Sequence, residues 1–300
     1  MITVIIPTQD RCDDLLACLE GLAKQRDRSL VEQIVIVDDN SRKPYRQAVL
    51  EYARYEKLPV QMYDSPGEGA AIARNHAASF ATGRILALLD DDAIPDADWA
   101  GTIARAFENP EVKAITGRIL PLDGDRLFSR SRQLRYEMRQ KEALANPGRP
   151  VKFLAGGNSA VLRSAFLAVG GFDPAFTSMH DVELSVRLGA MNHPVHYVHG
   201  LLIHHRHYKG LGPVLSNSFN SAYFRQKLEA KHAHLPKWSL RMQFASYGRL
   251  MRAAREDRTH TVSAAIACSL ETIHTVAQGW YRLTRAIPVS TADVSKQREA

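Results

Sequence analysis

The chain has 300 residues, of which 45% are hydrophobic and 24% are charged, as is typical of globular proteins. This composition excludes a disordered tail, a collagen-like fibre and a small disulfide-rich scaffold. The three cysteines (Cys12, Cys18 and Cys268) form no C-x-x-C pair, so neither a disulfide framework nor a cysteine zinc site is expected. The net charge of +7 predicts an anionic partner such as a phosphate, a nucleotide or an acidic membrane surface.

Short apolar runs alternate with helical patterns over the first 120 residues. Strands are predicted at 2–6, 34–37, 60–62, 84–89 and 112–119, and helices at 15–22, 44–55, 69–80 and 97–107, with Asp13 or Asp14 as the first N-cap. The strands are continuously apolar, as expected when helices cover both faces of a sheet. The alternation predicts an α/β domain with a mostly parallel sheet.

The pattern changes after residue 120. A polar helix is predicted at 129–144, ending at the turn 146–148, and a glycine-rich segment at 155–159 leads into another strand and helix. Beyond residue 210 the strands stop and long helices rich in Arg and Lys follow. This shift in composition predicts a boundary near residue 210, with a basic helical extension at 211–300.

Two acidic clusters follow directly after predicted strands, Asp38-Asp39 after 34–37 and Asp90-Asp91-Asp92 after 85–89. In open α/β sheets the ligand crevice lies outside the carboxyl ends of the strands, so these side chains are expected to converge. Converging carboxylates repel one another unless a cation neutralises them, and Mg²⁺ and Mn²⁺ prefer such oxygen ligands. The alternative is that individual aspartates are turn or N-cap residues.

The motifs and their order resemble those of family-2 glycosyltransferases of the GT-A fold. The matching segments are Pro7-Thr8, Asp38-Asp39-Asn40-Ser41, Arg74-Asn75, Asp90-Asp91-Asp92, Gly156-Gly157-Asn158, Gly170-Gly171-Phe172-Asp173 and His180-Asp181. They cover roughly residues 1 to 205. The resemblance implies a Rossmann-like, mostly parallel sheet flanked by helices, with a catalytic domain at 1–210. The nucleotide-sugar half would take about 1–120 and the acceptor half about 121–210.

The family's activity, as the resemblance implies it, is inverting transfer of a sugar from a nucleoside-diphosphate sugar to a hydroxyl acceptor in polysaccharide, lipid-linked or cell-surface glycan synthesis. The implied donor site comprises Pro7, Thr8, Asp38, Asp39, Arg74, Asp90, Asp91, Gly156, Gly157 and Asn158. The implied ligands of Mn²⁺ or Mg²⁺ are Asp90, Asp92 and His204, with Asp92 favoured as the direct ligand. His204 has the alternative of a packed or solvated ring, and Arg206 is a second candidate for holding the diphosphate.

The general base implied by the resemblance is Asp181, which would take the proton of the acceptor hydroxyl. The alternative is that Asp181, at the start of a predicted helix, only stabilises the helix dipole. His180 stands where the family usually has Glu, and a protonated His would lower the pKa of the base. Glu183 is a fallback base on another face of the helix.

Two further segments have alternative interpretations. Gly156-Gly157-Asn158 is either a tight turn or a place where the donor sugar approaches the backbone. Trp99 either stacks on an acceptor sugar or belongs to the core.

The basic extension either packs on the catalytic domain or contacts anionic lipid through the stretch 241–258, with Trp238, Trp280 and Tyr281 near the interface. Expected partners are a nucleoside-diphosphate sugar and a glycan or lipid-linked acceptor. No nucleic-acid recognition motif accompanies the charges, so no nucleic-acid partner is expected.

The first 14 residues show no signal-peptide pattern, and no run of about 18 apolar residues occurs. A cytoplasmic protein is expected, at the inner face of the membrane if the extension binds lipid.

Rival functions come from other classes. A receiver-like signalling domain would use Asp90 as phosphate acceptor. Its acidic pair should follow the first strand of the domain, but here the strand predicted at 2–6 comes before the strand that ends at Asp38-Asp39. A nucleotide-sugar-binding protein without catalysis is suggested by His180. A dehydrogenase is disfavoured, since no G-x-G-x-x-G follows the first strand.

Overall fold

The computed structural model describes residues 1–122, 127–146, 149–151, 154–206, 211–237, 239–256 and 261–284. Within these ranges the strands are β1 (Ile2–Thr8), β2 (Val31–Asp38), β3 (Val60–Asp64), β4 (Ile85–Leu89), β5 (Ala93–Pro95), β6 (Ala114–Pro121), β7 (Asn158–Leu162) and β8 (Val195–His205). The helices are α1 (Cys12–Ala23), α2 (Arg46–Tyr55), α3 (Ala70–Phe80), α4 (Trp99–Ala106), α5 (Leu127–Ala145), α6 (Arg163–Ala168), α7 (His180–Ala190), α8 (Leu211–Lys231), α9 (Leu240–Glu256) and α10 (Thr261–Thr284).

The eight strands form one sheet in the order β3-β2-β1-β4-β7-β6-β8-β5. The four strands β3, β2, β1 and β4 run parallel. The second half is mixed, because β7 is antiparallel to both β4 and β6, and β5 is antiparallel to β8, whereas β6 and β8 are parallel. The predicted α/β class is confirmed. All strand pairs are parallel in the first half of the sheet, whereas the second half contains both kinds of pair.

The core lies on both faces of the central strands. All residues of β1 and β4 are buried, and their apolar side chains join those of α1, α3 and α4 in one large cluster. Burying a Val, Leu or Ile side chain stabilises the fold by about 1.5–3 kcal/mol. The continuous apolar runs in the sequence therefore reflect strands with helices on each side.

Several predicted elements differ at their ends. Arg11, rather than Asp13 or Asp14, occupies the N-cap of α1, and the two aspartates lie in its first turn, where negative charge favours the helix dipole. The three-residue strand β5 was absent from the prediction, because so short a run has no periodicity of its own. It exists through its pairing with β8.

The C-terminal helices α8, α9 and α10 pack at two places. Leu134 of α5 meets Leu250 and Ala267 in one small apolar cluster. Phe176, before α7, meets Phe224 and Leu228 of α8 in a second. The expected boundary near residue 210 falls in 207–210, outside the described residues. None of the helices in the described ranges has the combination of length and hydropathy that crossing a bilayer requires.

Candidate active site

The acidic motifs meet at one edge of the sheet. The parallel strands β1, β2 and β4 end at Thr8, Asp38 and Leu89, and Thr8 is in register with Asp38. The antiparallel strand β7 begins at Asn158 opposite Leu89, which brings the glycines before it to the carboxyl end of β4. The convergence predicted from the sequence is therefore present, and the parallel register causes it.

Asp90, Asp92 and His205 form a cluster whose ligand atoms all lie within 4.8 Å of one another. The His205 Nε2 atom lies 3.4 Å from Asp90 Oδ2 and 3.1 Å from Asp92 Oδ1. Although burial alone would lower the pKa of His205, hydrogen bonds to the two carboxylates raise it to about 10. Burial would raise the pKa of Asp90, but Arg74 and His205 outweigh it and hold that pKa well below its usual value.

His205, not His204, stands beside the carboxylates. Successive side chains on a strand point to opposite faces, so only one of two adjacent histidines can face the cluster. His205 pairs in register with Ala93, directly after Asp92, whereas His204 pairs with Ile94. The predicted position of His204 beside the acids is corrected, because the pairing of β8 with β5 places the ring of His205 there.

The donor set of this cluster fits a divalent cation. Two carboxylates and one imidazole suit Mn²⁺, and carboxylates suit Mg²⁺. The backbone at Gly157 passes so close to Asp90 that a Cβ there would overlap the carboxylate. Glycine at this position thus leaves room for both Asp90 and the chain entering β7.

Arg74 of α3 lies beneath the cluster and is only 3% exposed. Its Nη2 donates to Asp90 Oδ1 at 2.5 Å, and its Nη1 lies 2.8 Å from His180 Nε2. The guanidinium carbon is 5.9 Å from the centre of the Phe172 ring. Arg74 therefore supplies positive charge to Asp90 from within the protein.

His180 is a neutral neighbour of the candidate base. Burial, followed by the positive charge of Arg74, lowers its pKa to about 4, so its imidazole is uncharged at pH 7. Its ring packs edge-on against Phe172, with centroids 5.4 Å apart. The expectation that a protonated His would weaken the base does not apply in this arrangement, since Arg74 opposes protonation.

Asp181 lies in the first turn of α7 and faces the same glycine-rich segment as Asp90. Its Oδ2 accepts a hydrogen bond from the backbone N–H of Gly156 at 3.3 Å, and its Oδ1 accepts one from the N–H of Val182 at 2.9 Å. Gly156 and Gly157 are adjacent, so they place Asp181 and Asp90 on either side of one short stretch of backbone. A carboxylate in the first turn also interacts favourably with the helix dipole, and the role of Asp181 as general base stays a prediction.

Glu183 is fully buried and bonded to two cations and a histidine. Its carboxylate accepts bonds from Arg187, Lys231 and His232 at 2.6–3.2 Å. Burial raises the pKa of Glu183, but bonds from Arg187 and Lys231 outweigh it and lower that pKa. These contacts exclude Glu183 as a fallback base and make it a link between α7 and α8.

Asp39 organises the loop that precedes α3. Its Oδ1 accepts from Ser65 Oγ at 2.6 Å and from Gly67 N at 3.2 Å, and its Oδ2 accepts from Gly69 N at 2.8 Å. Asp38 accepts from the N–H of Ser41 at 3.0 Å, as a turn residue does. The predicted contact of these carboxylates with the nucleotide stays a prediction.

The side chain of Asn158 is a structural bridge. It is fully buried, donates to the carbonyl oxygens of Arg118 and Leu201 at 2.7 and 2.9 Å, and accepts from Trp99 Nε1 at 2.9 Å. Trp99 is itself fully buried. The prediction that Trp99 stacks on an acceptor is corrected, because its ring belongs to the core. The side chain of Asn158 is taken up by these bonds, and the expected approach of the donor sugar to the backbone at 156–158 stays a prediction.

The remaining motif residues lie around the cluster. Pro7 and Thr8 are buried at the end of β1. Burial, and then the charge of Asp92, raise the pKa of Asp91 to about 7 against the opposing charge of Arg11, which lies 3.3 Å from it. Arg206, the other candidate for the diphosphate, donates to Asp14.

The sequence interpretation missed Arg11, and it gave Asn75 only as part of the Arg74-Asn75 motif, without a structural role. Arg11 is paired with both Asp91 and Asp92, and no local pattern distinguished it from other surface arginines. Asn75 both donates to the Phe172 carbonyl at 2.7 Å and accepts from its N–H at 2.8 Å. A Cβ on Gly171, whose φ is +70°, would collide with the Asn75 side chain. Asn75 thus fixes the turn that presents Phe172 to Arg74.

Comparison with known proteins gives one family. Residues 3–170 match the family described as Glycosyl transferase family 2. The pre-mycofactocin glycosyltransferase of Mycobacterium tuberculosis (strain ATCC 25618 / H37Rv) is 27% identical over 210 residues, which cover 69% of this chain and 43% of that protein. The validoxylamine A glucosyltransferase of Streptomyces hygroscopicus subsp. jinggangensis is 26% identical over 222 residues, 65% of this chain and 53% of that protein. The chain spans about half the length of these curated relatives.

Solved structures with similar folds include two complexes with nucleotide sugars. The mannosyltransferase PcManGT from Pyrobaculum calidifontis in complex with GDP-Man and Mn²⁺ has a TM-score of 0.66 at 19% identity, covering 95% of this chain and 88% of that one. Residues 1–349 of TarS from S. aureus in complex with UDP-GlcNAc have a TM-score of 0.55 at 13% identity, covering 94% and 91%. At these identities the likeness shows a shared fold.

Proposed function

The chain belongs to glycosyl transferase family 2 and has the GT-A fold, and from this premise we propose an inverting transfer of a sugar from a nucleoside-diphosphate sugar to a hydroxyl of a glycan or lipid-linked acceptor. The observation that carries the proposal is the cluster of Asp90, Asp92 and His205, with ligand atoms within 4.8 Å of one another at the carboxyl end of β4. The complexes of similar fold with GDP-Man and UDP-GlcNAc support a nucleotide-sugar donor. The cluster and the solved complexes both support a glycosyltransferase.

In the proposed reaction, Asp181 accepts the proton of the acceptor hydroxyl while the hydroxyl oxygen attacks the anomeric carbon. The new oxygen–carbon bond forms as the bond from that carbon to the diphosphate oxygen breaks, and the nucleoside diphosphate leaves. Attack opposite the leaving group inverts the anomeric centre. The bond from Gly156 N to Asp181 Oδ2 supports this role, since it orients the carboxylate beside the cluster.

Asp90, Asp92 and His205 would hold Mn²⁺ or Mg²⁺, which supplies positive charge to the diphosphate leaving group. Arg74 contributes a fixed charge to Asp90 from below and keeps that carboxylate ionised. His180 is neutral, so it does not offset the positive charge of Arg74. An ionised Glu at the same position would compete with Asp90 for the guanidinium.

We propose that successive segments of the chain form the donor site, the acceptor site and the C-terminal extension. Residues 1–120 would bind the nucleotide sugar, 121–210 would form the acceptor side, and 211–300 would be the basic helical extension. The bonds from the loop before α3 to Asp39, which directly follows β2, support a donor site in the first segment, since they hold that loop at the carboxyl end of β2.

The test of the base is Asp181→Asn. Nucleoside diphosphate release from a panel of UDP- and GDP-sugars with Mn²⁺ is measured, with water as the acceptor. Asp181→Asn should keep the thermal shift caused by the donor but slow release by about 10²–10⁴-fold, the usual contribution of a general base. Asp27→Asn, an exposed aspartate before β2, is the matched control and should behave as the wild type.

Two results would contradict parts of the proposal. Normal turnover by Asp181→Asn would move the base elsewhere. A wild-type protein that binds a nucleotide sugar but releases no nucleoside diphosphate would instead support the alternative of a binding protein without catalysis.

A further inference from the structure

The outer face of α9 is basic and has an apolar edge. Its exposed residues recur every three or four positions: Arg241, Phe244, Ala245, Gly248, Arg249, Met251 and Arg252. Leu250 faces the opposite way and is buried against α5 and α10. At 100° per residue, Phe244 and Met251 share one edge of this face, and the three arginines occupy the rest.

The apolar edge of α9 continues onto α10. The rings of Phe244 and Tyr247 are 6.4 Å apart, and the Tyr247 hydroxyl lies 2.6 Å from Thr272 Oγ1. Val276 follows Thr272 by one helical turn on the same exposed side. Phe244 and Val276 are 68% and 65% exposed. Together with Met251 and the exposed Trp280 they form what we call the apolar strip.

The charges beside the apolar strip are uncompensated within the described part of the chain. No carboxylate there forms an ion pair with Arg241, Arg249 or Arg252, unlike Arg225 in α8, which pairs with Glu229. Arginines flanking exposed aromatic and aliphatic side chains on a helix face are the pattern of an interfacial helix at an anionic lipid surface.

We propose that the apolar strip and Arg241, Arg249 and Arg252 form a docking surface for a membrane that contains anionic lipid. The arginines meet lipid phosphates, and the apolar strip enters the boundary between head groups and acyl chains. A second copy of the chain is the weaker occupant, because it would bring the same positive charges together.

The structure also corrects which aromatic residues contribute. Of the three expected at the interface, Trp280 is exposed, whereas Tyr281 is half-buried with its ring 5.5 Å from that of Tyr223. Trp238 lies outside the described residues. The docking surface therefore rests on Phe244 and Met251 more than on the aromatic residues named by the sequence.

The experiment is co-sedimentation of the full chain with vesicles of phosphatidylcholine alone or with about a third phosphatidylglycerol. The wild type should bind only the anionic vesicles and be released by high salt, since the Debye screening length falls to a few ångströms near 1 M. Arg241→Glu with Arg249→Glu should weaken binding at least tenfold, because each basic residue near such a surface contributes about fivefold. Phe244→Ser with Met251→Ser should weaken it several-fold.

The controls carry the same chemical changes elsewhere. Arg26→Glu with Arg54→Glu reverses two exposed charges on the catalytic domain, and Tyr55→Ser with Leu167→Ser removes two exposed apolar side chains. Both should bind as the wild type does. Circular dichroism and nucleoside diphosphate release check that each variant is folded.

Three outcomes would overturn the proposal. The wild type fails to bind anionic vesicles, the docking-surface variants bind as well as their controls, or the variants convert a dimer to a monomer while vesicle binding is unchanged. The last would make the apolar strip an interface between copies. Because vesicle binding needs no donor, these outcomes are separate from failure of the proposed transfer.

Discussion

His180 determines the electrostatics around the candidate base. The imidazole is buried beside Arg74, and its low pKa leaves it uncharged, so the positive neighbours of Asp90 are Arg74 and His205. His180 accepts the guanidinium N–H as a carboxylate would, but without a negative charge. His180 thus bonds to Arg74 without adding a negative charge beside it.

The pKa of His180 predicts an acid sensitivity. Because its folded pKa, about 4, lies below its ordinary value of 6.5, the unfolded chain binds the proton first as pH falls. The contribution of neutral His180 to the free energy of unfolding is therefore complete above pH 6.5 and decreases toward pH 4. The decrease at pH 5 is at most about 2 kcal/mol. His180→Gln keeps an acceptor for Arg74 without titrating, so its urea-unfolding free energy should fall less between pH 7 and pH 5.

The comparison needs a second histidine. His199→Gln, at an exposed position on β8, should retain the pH dependence of the wild type. Parallel pH profiles for the wild type and His180→Gln would show that His180 is not the group responsible.

The junction of α7 with α8 sets the orientation of the helix that carries Asp181. Lys231, near the end of α8, donates to Glu183 Oε1 and to Asp173 Oδ2, both at 2.6 Å. Its ammonium also lies 5.6 Å from the centre of the Phe176 ring. One lysine from the extension thus holds both the turn before α7 and the helix itself.

We expect Lys231→Met to reduce turnover more than donor binding. Loss of the ion pairs should lower stability by about 1–2 kcal/mol, less than for a fully buried pair because Lys231 is partly exposed. The helix α7 should become less well oriented, so kcat should fall about tenfold at nearly constant KM for the donor. Steady-state kinetics and urea unfolding measure the two effects.

Lys231→Arg should recover most of the activity because it keeps the charge, and Lys237→Met is the control at an exposed lysine after α8. Unchanged kcat with reduced stability in Lys231→Met would limit the junction to a structural role.

At the scale of the whole molecule, the cluster joins segments that are far apart in the chain. Asp90 and Asp92 lie between β4 and β5, and His205 ends β8, more than a hundred residues later. A cation bound by all three would therefore act as a crosslink between the parallel and the mixed halves of the sheet.

Mn²⁺ should raise the thermal midpoint. At about 100 times its dissociation constant, a ligand of the folded state adds roughly 2.7 kcal/mol, or about 4 °C for a chain of this size. Asp92→Asn should lose most of this shift, and Asp27→Asn should keep it. Differential scanning fluorimetry with Mn²⁺ and with Mg²⁺ measures both, and an equal shift in Asp92→Asn would remove the site from the cluster.

Local pattern was enough for the elements and for the acidic motifs. Hydrophobic runs and helical spacing follow from short-range backbone geometry, so β1, β2, β4 and the helices between them were readable, as were Asp90 and Asp92 directly after β4. The family also followed from the order of these motifs. The information for each element and motif lies within a few residues, whereas the family is read from their order along the chain.

The tertiary structure decided which side chains face the site. The register of β8 against β5 places His205, and not His204, beside the acids. The side chains of Asn158 and Trp99 bond to each other in the core. Glu183 is paired with Lys231 of α8. Each of these outcomes depends on contacts between residues distant in the chain. An adjacent histidine or a fallback carboxylate looks equivalent in sequence, and only pairing and burial distinguish it.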